Sequence, residues 1–264
     1  MSRASALRTQ IEASLAGRIQ SALTPQPRII RPVVSTGIGV VDRLLEGGLP
    51  LGAITEMIGS ECSGRTSLAL SFIARMTRSE KVCAWVDVSN VLDPESAAAM
   101  GTDLKRLLWV RCGVVSKLAV PPSPKPCKPW LRIDQALRVS DLLLQAGGFS
   151  AIVLDLGSIA PEHASRVPLA TWFRYRAAAE RSQASILLLT QYACAKSSAG
   201  LVLRLQPGKA MREETTVFTG IEHCVEVVRE RFVVAPTNVI PLRKPSQSEK
   251  SAIWQSRMAW AGCR

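Results

Sequence analysis

Between residues 53 and 190 short apolar runs alternate with amphipathic stretches, and this alternation constrains the fold more than any other feature. Strands are expected at 53–58, 82–88, 107–111, 151–156 and 186–190. Helices are expected between them at 66–77, 131–145 and 169–181, with a short helix start at 94–100. Strands joined through helices pair in parallel and are covered on both faces. The expected fold class is therefore α/β, with a mostly parallel central sheet and helices on both faces. After residue 198 the helical spacing stops, and strands at 201–205, 213–219, 224–230 and 239–242 are expected to add antiparallel to one edge. A chain of 264 residues suits one domain with extensions. Its 47% hydrophobic content fills one large core.

The two ends read differently. Leu7, Ile11, Leu15, Ile19 and Leu23 recur every four residues, which makes one apolar stripe on a helix that needs a surface to dock on. Residues 29–34 read as a short edge strand, because Pro32 cannot donate a ladder hydrogen bond. Arg3, Arg8, Glu12 and Arg18 interrupt any signal-peptide core. No apolar run reaches a membrane span. A cytoplasmic location and no membrane partner are expected. Residues 121–129 are Pro-rich and should be extended and exposed. The tail is basic, and Ile253, Trp254, Met258 and Trp260 are expected on one helical face, packed on the core or on a partner. The division expected is a helical arm and edge-strand start at 1–31, a core at 32–242 with a Pro-rich insertion at 119–129, and a basic tail at 243–264.

Lys and Arg number 33 against 21 Asp and Glu, a net charge of +12. That excess suits a polyanionic or acidic partner, and phosphate contacts carry no base-sequence information. Seven cysteines without a CxxC pair, and two distant histidines, read as reduced thiols and not as a disulfide framework or zinc site.

The chemistry concentrates at Gly59, Ser60, Glu61, Cys62, Ser63, Gly64, Arg65, Thr66 and Ser67. This run follows an expected strand and opens an expected helix, which is the setting of a phosphate-binding loop. Small residues let backbone N–H groups curl around an anion, and the helix N-terminus adds its positive end. Asp155 ends an apolar strand, where it would serve the shell of a magnesium ion together with the Thr66 hydroxyl. Gln191 follows the strand at 186–190, where an amide would sense a terminal phosphate. Each feature alone has a plainer reading, as a helix cap or strand-end turn. In this order, at the carboxyl ends of parallel strands, they read as a nucleotide site. The cofactor expected is ATP with magnesium, held weakly if at all.

On these residues the sequence resembles RecA. The likeness runs through Ser35-Thr36-Gly37, Val41-Asp42, Gly47-Gly48-Leu49-Pro50, Gly52 and Ile54-Thr55-Glu56 into the loop at Gly59. It resumes at Leu92-Asp93-Pro94, Gly101, Asp103, Asp155 and Gln191, and covers residues 30–242. It implies a RecA-like P-loop fold with Asp93 at the base edge. It also implies that Arg229 and Arg231 hold the places of two cations that act on a neighbouring subunit's nucleotide.

The departures are as informative. Arg65 replaces the loop lysine, and a planar fork replaces a compact ammonium. Ser89 stands where the family places its catalytic glutamate, and serine cannot act as that base. Ser96 stands where a tyrosine stacks on adenine. The two DNA-binding loops are reduced to 159–168 and 192–200, and RecA's acidic C-terminal domain is replaced by the basic tail.

This pattern is similar to the ImuA branch of RecA-like proteins. That resemblance implies a non-catalytic accessory of error-prone translesion synthesis in the SOS response to DNA damage. Its partners would be an error-prone DNA polymerase and a RecA-type filament, with weak single-stranded DNA binding and self-association through residues 4–34. Within the cytoplasm it would associate with the nucleoid when bound to DNA. The rival readings are a true DNA-dependent ATPase that pairs strands, and a protein-binding inhibitor of cell division. Trp172, Phe173, Arg174, Tyr175 and Arg176 read either as a stacking surface for single strands or as a helix with a buried aromatic face.

Overall fold

The computed structural model describes residues 31–113, 129–213, 216–231 and 251–257. The apolar stripe at 7–23, the Pro-rich run up to residue 128 and the strand expected at 239–242 lie outside these residues. Chain order begins with β1 (Val33–Val34), α1 (Gly39–Leu44) and β2 (Leu49–Pro50), then β3 (Ile54–Ile58), α2 (Arg65–Arg78) and β4 (Cys83–Asp87). Next come α3 (Pro94–Ala99), β5 (Leu107–Arg111), α4 (Pro129–Ala146), β6 (Ala151–Asp155), α5 (Pro161–Ala164), α6 (Leu169–Ser182) and β7 (Ser185–Thr190). The chain then runs through β8 (Leu201–Glu213), β9 (Thr216–Glu230) and β10 (Ser251–Arg257).

Eight strands form one sheet in the order β10-β9-β8-β3-β7-β6-β4-β5. Every pairing from β8 to β5 is parallel, and β8–β9 and β9–β10 are antiparallel. β3, β6 and β7 are buried along their whole length, as apolar runs in a covered parallel sheet must be. Alternate residues feed opposite faces. Ile152 and Leu154 pack with Ile133, Leu137, Trp172 and Tyr175 of α4 and α6. Ala151 and Val153 pack with Leu68, Phe72 and Ile73 of α2 and with Val41 of α1. Helices on both faces are thereby accounted for. Arg31 is fastened to the core through an ion pair to Glu180 Oε1 at 2.7 Å and a bond to the carbonyl of Gly52.

Past residue 200 the architecture departs from the sequence-based expectation. Two long strands, β8 and β9, replace the three short ones expected at 201–205, 213–219 and 224–230. β8 joins β3 in parallel, not antiparallel. Irregularities between Val202 and Leu203, Pro207 and Ala210, and Met211 and Glu213 break its two-residue period, so the alternation stops while the strand continues. Gly208 marks the tightest point, since a Cβ there would lie 1.7 Å from the carbonyl oxygen of Glu222.

The tail differs too. Ile253 and Trp254 belong to a strand, β10, and not to a helix. Trp254 pairs opposite His223 of β9 and is buried in the α2 face of the core, while Ile253 is exposed. That alternation has a period of two. On α6 the plainer reading holds. Trp172 and Tyr175 are buried, and Arg174 and Arg176 are paired with Asp141 and Glu180. No helix among the described residues is long and apolar enough to cross a membrane.

Candidate functional site

The loop at 59–66 leaves the end of β3 and turns directly into α2. Its opening residue is fixed by space, since a Cβ on Gly59 would lie 2.4 Å from the Leu205 carbonyl oxygen and 2.6 Å from Ser63 Oγ. Cys62 and Gly64 take left-handed backbone angles, φ 59 and 89. Gly64 is the N-cap of α2, and no side chain caps the helix. The first-turn N–H groups of a helix have no intrahelical partner, so α2 presents them to the loop. Residues 62–67 line a cavity of about 200 Å³ that Ile221 and His223 of β9 close on one side. Ser60, Glu61, Cys62 and Thr66 are exposed. Ser63 is buried, and its Oγ has no hydrogen-bond partner.

Arg65 does not reach outward. Its side chain is buried, and Nη2 donates to the carbonyl of Gly157 at 3.3 Å, while Nη1 has no partner. Gln191 Nε2 donates to the same carbonyl at 3.2 Å. The N–H of Gly157 donates to Asp155 Oδ1 at 2.9 Å. One peptide unit therefore gathers three of the expected site residues. Burial pulls the Arg65 pKa down, against Asp155 and Glu61, which support the charge. Burial pushes the Asp155 carboxyl up to about 6, with Asp87 adding to the rise, while the Gly157 N–H and Arg65 oppose it. The two groups expected to share a magnesium ion are placed differently. Thr66 stands in solvent at the mouth, whereas Asp155 is buried beside the guanidinium of Arg65.

The remaining expected residues are not all drawn to this centre, and Arg229 and Arg231 lie level with the start of β3, at the opposite end of that strand from the loop. Ser89 follows β4, half-buried, in the bend before Asn90. The nearby carboxylate, Asp87, lies opposite Asp155 on the neighbouring strand. It does not stand in for a catalytic base, because it accepts from Val91 N at 3.1 Å, Leu92 N at 2.9 Å and Trp109 Nε1 at 3.2 Å. Asp93 caps α3 by accepting from the N–H groups of Glu95 and Ser96 and from Ser96 Oγ. The two groups expected near a base thus bond to each other.

Arg229 and Arg231 lie together near the end of β9, exposed, and turn inward on their own chain. Arg229 donates to the carbonyls of Lys196 and Ala199, and Arg231 to that of Ser197 at 2.8 Å. The same turn is held from beneath by buried Glu56, whose Oε1 accepts from Cys194 N at 2.6 Å and Ala195 N at 3.0 Å.

Three residues acquire roles here that the sequence reading did not assign. Glu56 sits in a quoted motif, and only its isolation within an apolar strand hints that it must find buried donors. Gly157 follows Asp155 by two positions, where a strand-end turn is common, but nothing local marks its carbonyl as a shared acceptor. His223 reaches the loop only through the sheet register. A Cβ on Gly64 would lie 2.6 Å from its Nδ1. Burial pulls its pKa down, opposed by a hydrogen bond with the Ser63 backbone.

Residues 9–117 match the RecA N-terminal domain. The protein RecA of Marinobacter nauticus is 33% identical over 148 residues, which is 56% of this chain and 38% of that protein. The protein RecA of Haemophilus ducreyi is 37% identical over 123 residues, 46% of this chain and 28% of that protein. The matched stretch thus spans well under half the length of either relative. Among solved structures, the RadB recombinase superposes with a TM-score of 0.53 at 18% identity, over 84% of this chain and 94% of that one. That likeness concerns the fold. Sequence over the first part of the chain is similar to the RecA N-terminal domain, and the architecture over most of it is that of the RecA-like fold.

Proposed function

We propose that this chain is a DNA-repair accessory protein, which supports error-prone translesion synthesis by binding a polymerase and a RecA-type filament or DNA. Its nucleotide site is degenerate in this reading, of the kind the ImuA resemblance implies, with ATP and magnesium held weakly if at all. The observation that carries it is the state of the hydrolytic groups. Ser89 stands at the place of the base, Asp87 is fully occupied with backbone and indole donors, and Arg65 is folded onto Gly157. A missing general base alone is worth roughly 10²–10⁴-fold in rate. The inward turn of Arg229 and Arg231 agrees, since both cations already serve carbonyls of the 196–199 turn.

A second reading is a working recombinase. It is favoured by the convergence of Arg65, Asp155 and Gln191 on Gly157, which would suit a phosphate sensor. Two measurements on the purified full chain decide. The accessory reading expects no ATP turnover with single-stranded DNA, and capture of an error-prone polymerase. Turnover at the rate of a filament-forming recombinase, without polymerase capture, would establish the second reading instead. Capture of cell-division proteins in place of a polymerase would favour the division-inhibitor alternative.

A further inference from the structure

We propose that phosphate binding at residues 59–66 is independent of magnesium, because the Arg65 guanidinium supplies the positive charge beside Asp155. The inference rests on the nucleotide reading of this loop and concerns how the site meets the charge of a polyphosphate.

Two polar groups of the loop are buried without a partner. Ser63 is 1% exposed and its Oγ is unpaired, and Arg65 is 8% exposed and its Nη1 is unpaired. Buried polar groups are rarely left so unless water, an ion or another ligand completes them. The cavity lined by residues 62–67 adjoins both, and the uncapped start of α2 faces the same space. An anion is the ligand class that all three features share, since each offers donors or positive charge.

The position of Arg65 depends on the missing side chain of Gly157. A Cβ there would lie 3.0 Å from Arg65 Nη1 and 3.0 Å from Asp155 Oδ1. The cation and the carboxylate therefore flank one small gap. Asp155 Oδ1 is further engaged by the Gly157 N–H. A magnesium ion needs an octahedral shell of oxygens at about 2.0–2.1 Å. To take Asp155 into that shell it would have to enter beside a fixed cation. A phosphate in the cavity meets no such conflict. Arginine stays charged at all accessible pH, so its charge is present without any metal.

The test is a titration of the full chain with fluorescently labelled ATP, in excess magnesium and in excess EDTA. The two affinities are expected to agree within about threefold. Asp155→Asn removes the carboxylate that shares the Arg65 charge, so it is expected to tighten binding several-fold in magnesium as well as in EDTA. A carboxylate that serves a metal would instead weaken binding in magnesium when replaced. Arg65→Lys is expected to weaken binding in EDTA by about tenfold, since a flexible ammonium cannot hold the place of the fork. Circular dichroism checks each variant, and if Arg65→Lys does not fold, the wild-type and Asp155→Asn arms still decide. A loss of about tenfold on chelation of the wild type, or weaker binding by Asp155→Asn in magnesium, overturns the proposal. Absence of binding in both buffers also overturns it, while the accessory reading stands or falls separately on polymerase capture.

Discussion

Arg65 and Gln191 donate to one acceptor, the carbonyl of Gly157, at 3.3 and 3.2 Å. One donor comes from the loop at 59–66 and the other from the end of β7, so a displacement of either is felt at the same peptide. Gly157 is constrained by space. An added methyl would press on Arg65 Nη1 and Asp155 Oδ1, each 3.0 Å away, inside a packed and charged pocket. Gly157→Ala should therefore destabilise the fold by about 1–3 kcal/mol, the usual range for overpacking. Urea unfolding measures it, and an unchanged midpoint would mean that Arg65 swings out freely.

Glu56 gives a second, sharper contrast. It is fully buried, Oε1 holds the N–H groups of Cys194 and Ala195, and Oε2 has no partner. Glu56→Gln keeps an acceptor for both donors. Glu56→Ala leaves two buried N–H groups unpaired and should cost about 2–6 kcal/mol, at about 1–3 for each such group. Limited proteolysis should then open the 192–200 turn in Glu56→Ala and spare it in Glu56→Gln. Equal sensitivity of the two variants would show that the arginines at 229 and 231 hold the turn without help.

His223 predicts a pH dependence. Its ring is buried between Gly64 of the loop and Trp254 of β10, with ring centroids 5.0 Å apart on the Trp254 side. Burial lowers its pKa in the folded state, while in the unfolded chain it titrates near the ordinary value of about 6.5. The unfolded chain thus takes up the proton first as pH falls. The stability contributed by neutral His223 is complete above about pH 6.5 and is lost as pH falls through the folded value. Unfolding midpoints of the wild type should fall over that window, and those of His223→Gln should fall less. Parallel pH profiles for the two proteins would assign the loss to other groups.

The sequence made the centre of this fold legible and left its edge obscure, for a physical reason. The strands at 53–58, 151–156 and 186–190 are buried on both faces, so their apolar runs are continuous and their limits are close to those observed. The loop at 59–66 was readable as a strand-to-helix junction because its glycine spacing is a local feature. β8 was not, since Pro207, Gly208 and the bulges around them erase the alternation on which a strand is recognised. Its parallel pairing with β3 is a relation between distant segments that no local window contains. His223 and Gly157 were missed for the same reason, as their roles come from register and from a shared carbonyl. Asp93 and Ser96 show the converse, since both were read for a nucleotide base and are satisfied instead by local capping within α3 itself.

The tail carries the last prediction. Read from the sequence, Trp254 lay on a helical face that could serve a partner. In the structure it is 5% exposed, lies against His223, and belongs to the cluster that holds Val41, Leu68 and Val225. A tryptophan so placed is core material, and its truncation leaves a cavity as well as lost transfer energy. Trp254→Ala should cost about 3–5 kcal/mol of stability. A chain ended at Leu242 loses β10 whole and exposes the edge of β9, so it should unfold or aggregate. Polymerase capture is informative only for variants that circular dichroism finds folded. Ile253→Asp is the suitable one, because Ile253 is 56% exposed on the outer side of the same strand. If Ile253→Asp keeps its fold and captures the proposed polymerase as the wild type does, β10 serves the core alone. If Trp254→Ala unfolds at the wild-type urea midpoint, the tryptophan is not the anchor that its burial implies.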